Sequence, residues 1–262
     1  MRRRKFLATA GVVGAGAVVP REILLNGVEL GAPAGAEYYD LRTYRCASGQ
    51  GLKIVEDFWS KALLPACGRI GIGPVGAFKA TYGPDSGTLL VLLTHKTLES
   101  AASATSRLLD DAEVMRAGAD YFAAPIDKPP FVRMSSRLLM AMKSMPQLVV
   151  PELTRGKQQR ILELRTYDSH NERAGKLKVD MINEGEVEFF RRNGAPAVFA
   201  AQTIFGEGMP SLSYMLVFPD LAARDAGWAG FRKDPDWVKL SARPEYQDLV
   251  SNVSDWILRP TA

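Results

Sequence analysis

The chain has few of the residues that carry most enzyme chemistry. It contains two cysteines and two histidines in 262 residues, and no pair of them has the spacing of zinc ligands. No phosphate-binding loop is present, no dinucleotide-binding glycine pattern follows a predicted strand, and no Gly-x-Ser-x-Gly nucleophile elbow occurs. We therefore predict no metal site and no cofactor, and we exclude covalent serine catalysis of the hydrolase type.

An excess of charge is also missing. The net charge is +4, from 33 basic and 29 acidic residues, and four of the basic residues lie at positions 2–5. The remaining basic residues form no stripe, and the sequence matches no nucleic-acid-reading module, so no nucleic-acid partner is predicted. With 47% hydrophobic residues over this length, the chain can form one large core or two small ones.

The N-terminus has the pattern of a targeting segment. The basic cluster is followed by an apolar run over residues 6–19, which is too short to span a membrane comfortably. Arg3-Arg4-Lys5-Phe6-Leu7 resembles a twin-arginine export motif, and Ala34-Gly35-Ala36 is typical of a cleavage site. We predict an export signal over residues 1–36, a periplasmic or extracellular location and no stable membrane insertion once the signal is removed. An uncleaved anchor or a disordered tail is the alternative.

Export permits disulfides, but the two cysteines are not expected to form one. Cys46 ends a predicted strand and Cys67 ends the helix that follows, so about 15 helical residues, roughly 22 Å, separate them. A disulfide requires Cα atoms within about 7 Å. Two free thiols are predicted.

An internal repeat organises the rest of the chain. The tetrapeptide Leu-Arg-Thr-Tyr occurs at residues 41–44 and again at 164–167, which is 123 residues later. A shift of the sequence by the same interval aligns identical residues at other positions without a gap, including Lys53 with Lys176, Gly71 with Gly194, and Asp111 with Asp234. A period this long indicates a duplicated domain rather than a solenoid.

Each repeat has the pattern strand, long helix, two strands, helices and a final strand. This βαββαβ order is that of the ferredoxin-like fold, whose sheet leaves one face bare and in need of a cover. We predict an α+β protein of two tandem units, residues 37–140 and 160–262, joined by a linker over residues 141–159. The two units are expected to pair sheet to sheet as an intramolecular dimeric α/β barrel.

Two motifs resemble the NIPSNAP family of the dimeric α/β-barrel superfamily. The first is an acidic residue followed by Leu-Arg-x-Tyr on the first strand, and the second is Asp-Pro-x-Trp late in the unit. The second repeat has both, the latter at residues 234–237, whereas the first repeat has Asp-Ala-Glu-Val at residues 111–114. The resemblance implies the fold above but no settled activity, since relatives in the superfamily range from cofactor-free monooxygenases to haem enzymes.

The first strand of each repeat supplies most candidate site residues. Alternation places Leu41 and Leu164 on one face of their strands, and we assign that face to the helices. The opposite face then lines the barrel interior with a carboxylate, a guanidinium and a phenol from each repeat: Asp40, Arg42, Tyr44, Glu163, Arg165 and Tyr167. These groups could bind a ligand, or form a buried ion-pair network that fixes the register of the two sheets.

Three further assignments concern single residues. His95 at the end of a predicted strand and Tyr167 are candidate catalytic groups, although a histidine that only packs or caps gives the same pattern. Trp237 is assigned to a ligand pocket, with a packing role in the core as the alternative. The functional hypothesis is an exported protein that binds a small hydrophobic or acidic ligand in the barrel cavity and is compatible with a homo-oligomer. The alternative is a cofactor-independent monooxygenase- or isomerase-like enzyme acting on an aromatic substrate.

Overall fold

The computed structural model describes residues 32–80 and 87–261, and of the predicted export signal residues 1–31 lie outside them. The described residues from Pro33 onward form one compact unit. These described residues contain eight strands: β1 (Tyr38–Arg45), β2 (Val75–Ala80), β3 (Thr88–His95), β4 (Arg133–Ala141), β5 (Ile161–Asp168), β6 (Ala197–Phe205), β7 (Ser211–Phe218) and β8 (Asn252–Pro260).

The helices follow the same order in both halves of the chain. In the first half they are α1 (Gly49–Phe58), α2 (Leu64–Arg69), α3 (Leu98–Leu109), α4 (Ala112–Ala117) and α5 (Ala119–Phe122). The connection holds α6 (Glu152–Arg155), and the second half has α7 (Glu172–Met181), α8 (Val187–Arg192), α9 (Leu221–Lys233) and α10 (Pro235–Ser241).

The eight strands form one closed barrel. Their order is β1-β3-β2-β8-β5-β7-β6-β4, and β4 pairs with β1 to close the ring. Every pairing is antiparallel, and the two repeats are joined by the pairs β2–β8 and β4–β6. The predicted class, two ferredoxin-like units forming an intramolecular α/β barrel, is confirmed.

The predicted orientation of the first strands is wrong. Leu41 and Leu164 belong to the apolar cluster inside the barrel, together with Tyr39, Phe199 and residues of the five other strands. Tyr44 belongs to the cluster beneath the helices of the first repeat, and Tyr167 packs against the corresponding cluster of the second. The Asp/Glu-x-Arg-x-Tyr side chains therefore face the helices, not the barrel interior.

The physical reason is that both faces of the sheet are covered. Alternation along a strand divides its side chains into two sets, one on each face of the sheet. It does not show which set faces the helices and which faces the barrel interior when both surroundings exclude water. Charged side chains need partners when they are buried, and here the helices supply them. Arg224 and Trp228 of α9 both donate hydrogen bonds to Glu163.

Helix boundaries recur at the repeat interval because the same capping chemistry recurs. Ser48 and Asn171 cap the first helix of each repeat, each accepting a hydrogen bond from a backbone N–H one turn into the helix. Asp111 and Asp234 cap α4 and α10 in the same way. Pro235 follows Asp234 at the first position of α10, where a helix does not use the backbone N–H that proline lacks.

A π-helical turn interrupts the long helix in both repeats. It spans Trp59–Leu63 between α1 and α2, and Ile182–Glu186 between α7 and α8. Such turns hold one extra residue and often lie at functional sites. In the second repeat the turn contains Gly185 with a φ of 136°, a conformation that strongly favours glycine.

The segment that joins the repeats packs against the barrel. Strand β4 runs through Ala141, one residue into the predicted linker. Leu148 and Leu153 then pack against the interior apolar cluster, and the backbone N–H of Leu148 donates to Oε2 of Glu37 at 2.7 Å. The connection thus covers the apolar part of the barrel.

Two further observations bear on the sequence predictions. Cys46 and Cys67 are both free thiols, as expected, and burial raises the pKa of each to about 11. Among the helices at 32–80 and 87–261, none combines the length and apolar character needed to cross a membrane.

Candidate functional site

A cavity of about 420 Å³ lies between the sheet and the helices of the second repeat. Its walls come from β5, α7, the π-turn, α9, α10 and the segment before β8. The side chains that define its chemistry are three charged and four aromatic residues: Lys178, Glu186, Asp248, Tyr167, Phe231, Trp237 and Tyr246. Of the residues predicted to form a site, Tyr167 and Trp237 line this cavity.

A buried ion pair lies at the centre of the wall. Nζ of Lys178 lies 2.9 Å from Oε2 of Glu186, and the two side chains are only 5% and 1% exposed. The ammonium also lies 5.3 Å from the ring centre of Tyr167 and 5.6 Å from that of Trp237, which is within cation–π distance. The pair is therefore held between aromatic faces that exclude water.

The tyrosines beside this pair remain protonated at neutral pH. The hydroxyl oxygens of Tyr167 and Tyr214 lie 2.7 Å apart in a hydrogen bond. Burial raises the pKa of Tyr167 to about 12, and the charge of Glu186 acts in the same direction. Tyr214 is fully buried, and burial raises its pKa as well. Both phenols serve as hydrogen-bonding groups rather than as bases.

Two local structures place the cavity residues. The π-turn inserts one extra residue into the long helix and ends at Glu186, whose carboxylate faces Lys178 of α7. Asp234 caps α10 and also accepts hydrogen bonds from Arg192 and Asn193, which anchors the helix that carries Trp237. These interactions lower the pKa of Asp234, with the Arg192 hydrogen bond as the largest cause. The same cap occurs in the first repeat, where Asp111 accepts from Arg69.

The first repeat has the same order of helix, π-turn and helix, but apolar residues at the positions equivalent to the ion pair. At the repeat interval, Lys178 corresponds to Val55 and Glu186 to Leu63, and both belong to the apolar cluster of that repeat. Aromatic side chains occupy the corresponding space: Phe58 stacks on Tyr121 with ring centres 4.0 Å apart. Trp237 corresponds to Val114, which is fully buried.

The other predicted residues of the second repeat form a separate polar cluster. Glu163 is fully buried and accepts two hydrogen bonds of 2.8 Å from Arg224 and one of 2.7 Å from Trp228. Arg165 lies with its guanidinium 4.5 Å from the ring centre of Trp228 and 3.5 Å from Glu163. Nearby, burial and the charge of Glu163 raise the pKa of Asp255 to about 6. None of these five residues lines the cavity described above.

The predicted residues of the first repeat are held in structural contacts. Arg42 pairs with Asp40 at 2.7 Å and donates to Oγ1 of Thr105 at 3.0 Å, while Ser136 donates to Asp40. Tyr44 packs edge-on against Phe131 with ring centres 5.5 Å apart. These ion pairs form within each repeat on its helix side, so they do not fix the register between the two repeats.

His95 is buried away from the cavities that the described residues form. Its Nδ1 lies 3.0 Å from Oγ of Ser100, and Nε2 has no hydrogen-bond partner among the described residues. Burial lowers the pKa of its imidazole. The histidine is thus neutral at physiological pH and lies outside the cavity that contains Tyr167 and Trp237.

Sequence reasoning missed Lys178, Glu186 and Tyr246. Lys178 and Glu186 were overlooked because charged residues on an amphipathic helix are usually exposed. The signal that identifies them is the repeat itself, since both are charged where the other copy has an aliphatic residue.

Sequence comparison identifies the family. The NIPSNAP family model matches residues 39–145 and 162–262, which is most of the chain in two tandem copies. The chain belongs to the NIPSNAP family. Each of the two ranges matched by the NIPSNAP model includes the first strand of its repeat, β1 or β5, and the helices that follow it. No match was found among curated proteins.

Solved structures share the barrel architecture of this NIPSNAP protein. A putative monooxygenase from Lactobacillus acidophilus aligns with a TM-score of 0.57 at 10% identity, covering 86% of this chain and 94% of that one. A putative monooxygenase from Fusobacterium nucleatum aligns at 0.55 and 12%, covering 86% and 93%. A NIPSNAP-like domain protein from Burkholderia xenovorans aligns at 0.36 and 19%, covering 40% of this chain and 88% of that one. At these identities the first two alignments establish the fold alone.

Proposed function

We propose that this NIPSNAP protein binds a small, uncharged aromatic ligand with a hydroxyl or carbonyl group in the helix-side cavity of its second repeat. The sequence predicted a small hydrophobic or acidic ligand in the barrel interior. The proposal keeps the hydrophobic ligand and places it in this cavity instead. The observation that carries the proposal is the Lys178–Glu186 pair between aromatic walls. A ligand oxygen can accept from the ammonium, and a ligand hydroxyl can donate to the carboxylate.

The repeat supports a functional role for the pair over a structural one. Burying two charges costs several kcal/mol per ion before their attraction offsets it. The equivalent positions in the first repeat hold Val55 and Leu63. The fold itself therefore does not require charged residues at these positions. Aromatic side chains at the walls provide flat apolar contact, which is typical of small-molecule sites.

Thermal unfolding with a panel of phenols, aromatic ketones and quinols tests the proposal. A ligand present at 100 times its Kd adds about 2.7 kcal/mol to the free energy of unfolding, which raises Tm by several degrees in a chain of this size. The double variant K178V/E186L gives the second repeat the residues of the first and is expected to lose the shift. An equal shift in that variant, or no shift with any compound, contradicts the proposal.

A cofactor-independent enzyme acting on an aromatic substrate is the other hypothesis, and the site does not favour it. The high pKa of Tyr167 makes it a poor base at neutral pH, and His95 lies elsewhere. The monooxygenase-like structures support the fold only. The oligomeric state stays a prediction.

Export is part of the proposed function and rests on the sequence of residues 1–36. The test is cell fractionation with the full chain and a variant in which Arg3 and Arg4 are both replaced by lysine. The wild-type protein is expected in the envelope or medium fraction, and the variant is expected to remain in the cytosol. The same distribution for both proteins argues against a twin-arginine signal.

A further inference from the structure

A second cavity lies inside the barrel, at the end where β1 and β5 finish. Its volume is about 250 Å³, the share of roughly eight water molecules at about 30 Å³ each. Both repeats contribute to it, with Thr43, Ser135 and Arg137 from the first and Thr166, Ser254 and Trp256 from the second. Apolar side chains such as Tyr39 and Phe199 line the opposite end of the barrel, so this cavity is its polar part.

The guanidinium of Arg137 is only partly satisfied. Nη1 and Nη2 both donate to the single oxygen Oγ1 of Thr166, each at 3.3 Å, and that hydroxyl also lies 2.8 Å from Oγ of Ser213. A guanidinium carries five N–H donors, so three remain. Within residues 32–80 and 87–261, no carboxylate lies within 4 Å of its nitrogens. Burial lowers the pKa of Arg137, while the charges of Asp168 and Glu207 act in the opposite direction.

The position equivalent to Arg137 in the second repeat holds an aromatic residue, Trp256. Arg137 pairs with Leu41 in the β1–β4 register, and Trp256 pairs with the equivalent Leu164 in the β5–β8 register. The two residues therefore hold equivalent positions, yet one provides a cation and the other a flat apolar face. A site with both features exists only because the two repeats differ.

The charged residues that line this cavity, at its rim and deeper inside, sum to zero. Arg45 lies at the rim with Asp168 and Glu207, and Asp168 accepts a hydrogen bond from Asn252. The rim carries two carboxylates against one guanidinium, while Arg137 adds a second cation deeper in the cavity. A bound group of single negative charge is therefore placed best at Arg137, beyond the two carboxylates.

We propose that the barrel cavity binds a small organic carboxylate with a planar apolar part, of the size of benzoate. Its carboxylate accepts two parallel hydrogen bonds from Arg137, the geometry that guanidinium groups favour. The hydroxyls of Thr43 and Ser135 complete its polar contacts, and the planar part lies against Trp256. The wall of the sheet separates this site from the helix-side cavity, so the two sites are independent.

Calorimetric titration of the whole protein with benzoate tests this site. R137Q is expected to weaken binding at least tenfold, R137K to weaken it less, and K178V/E186L, altered only in the other cavity, to leave it unchanged. Acetate, which lacks a planar part, and inorganic phosphate are expected to bind at least tenfold more weakly than benzoate. Unchanged binding by a folded R137Q, no heat with benzoate, or equal binding of phosphate overturns the proposal.

A crystallographic measurement on the wild-type protein covers the case in which R137Q does not fold. Crystals soaked in 4-bromobenzoate are expected to show an anomalous bromine peak inside the barrel, on the Trp256 side of the cavity. Bromine found only in the helix-side cavity, or in neither cavity, overturns the proposal. The first of these outcomes would leave the proposed function of the helix-side cavity standing.

Discussion

The ammonium of Lys178 and the carboxylate of Glu186 lie 2.9 Å apart beneath the helices of the second repeat, nearly without exposure to solvent. A buried pair of this kind is strongly coupled, because either charge alone would remain in an apolar setting. Removing one member and removing both are therefore expected to have very different effects.

The single substitution Lys178→Val is expected to destabilise the protein by about 3–5 kcal/mol, since it leaves Glu186 buried and unpaired. The double variant K178V/E186L is expected to lose much less, or nothing, since the first repeat is stable with the same two residues. Urea unfolding of the wild type, both single variants and the double variant measures the coupling. Additive losses would show that the two charges do not interact.

The Asp234 cap is expected to make stability depend on acid. Because its pKa in the folded protein lies below the ordinary value of 3.8, the carboxylate stabilises the fold at pH values above that value. This contribution falls as the pH drops toward the folded pKa. Asp234→Ala is expected to cost about 1 kcal/mol at pH 7 through loss of the cap, and less below pH 3.

The measurement is Tm against pH for the wild type and the variant. Asp111→Ala is the matched control, because Asp111 caps α4 and accepts from Arg69 in the same way. It is expected to show the same pH trend without affecting ligand binding in the second repeat. A gap between wild type and Asp234→Ala that stays constant from pH 3 to pH 7 would contradict the assigned role.

Asp255 is expected to have the opposite effect on the pH dependence of stability. Burial and the charge of Glu163 raise its pKa to about 6, so the folded state holds this proton more tightly than the unfolded state does. Its contribution to stability therefore falls as the pH rises from about 4 to about 6. Asp255→Asn is expected to be more stable than the wild type at pH 7 and to lose this advantage at pH 4.

A carboxyl titration by NMR checks the assignment directly and should show a step near pH 6 that is absent from Asp255→Asn. Arg224 also pairs with Asp255 at 3.2 Å, so the variant gives up one ion pair. If Asp255→Asn is less stable than the wild type at pH 7, that pair outweighs the repulsion from Glu163.

Gly185 in the π-turn is expected to tolerate no side chain. Its φ is 136°, and a Cβ atom there would lie 2.9 Å from the ring of Phe189. Gly185→Ala is therefore expected to cost about 1–3 kcal/mol from backbone strain, with further loss from the contact. The control is Ala62→Gly at the equivalent position, expected to cost about 1 kcal/mol. Equal losses, measured by urea unfolding, would show that the turn does not need the positive φ.

The fold could be predicted from the sequence because the repeat shows that the chain contains two copies of one topology. Two copies of a βαββαβ pattern leave two bare sheets, and closure of one on the other follows. The side of the sheet that Arg42 and Arg165 face was not predictable from alternation. It depends on partners such as Thr105, Arg224 and Trp228, which approach from helices distant in sequence.

The candidate site was predicted only in part, and for a related reason. Tyr167 and Trp237 belong to motifs and could be found by resemblance. Lys178 and Glu186 are eight residues apart on one helix, where ordinary helical periodicity would not bring them together. The π-turn alters that periodicity, and no residue pattern in the sequence predicted the turn.

The barrel is closed within one chain by the pairs β2–β8 and β4–β6, and this has a consequence for how its pockets can vary. In a barrel built from two identical subunits, every substitution appears twice, at positions related by the symmetry axis. Here a codon change affects one side only. One repeat can therefore have lysine where the other has valine, or arginine where the other has tryptophan. One pseudo-symmetric barrel can then hold two chemically unrelated cavities.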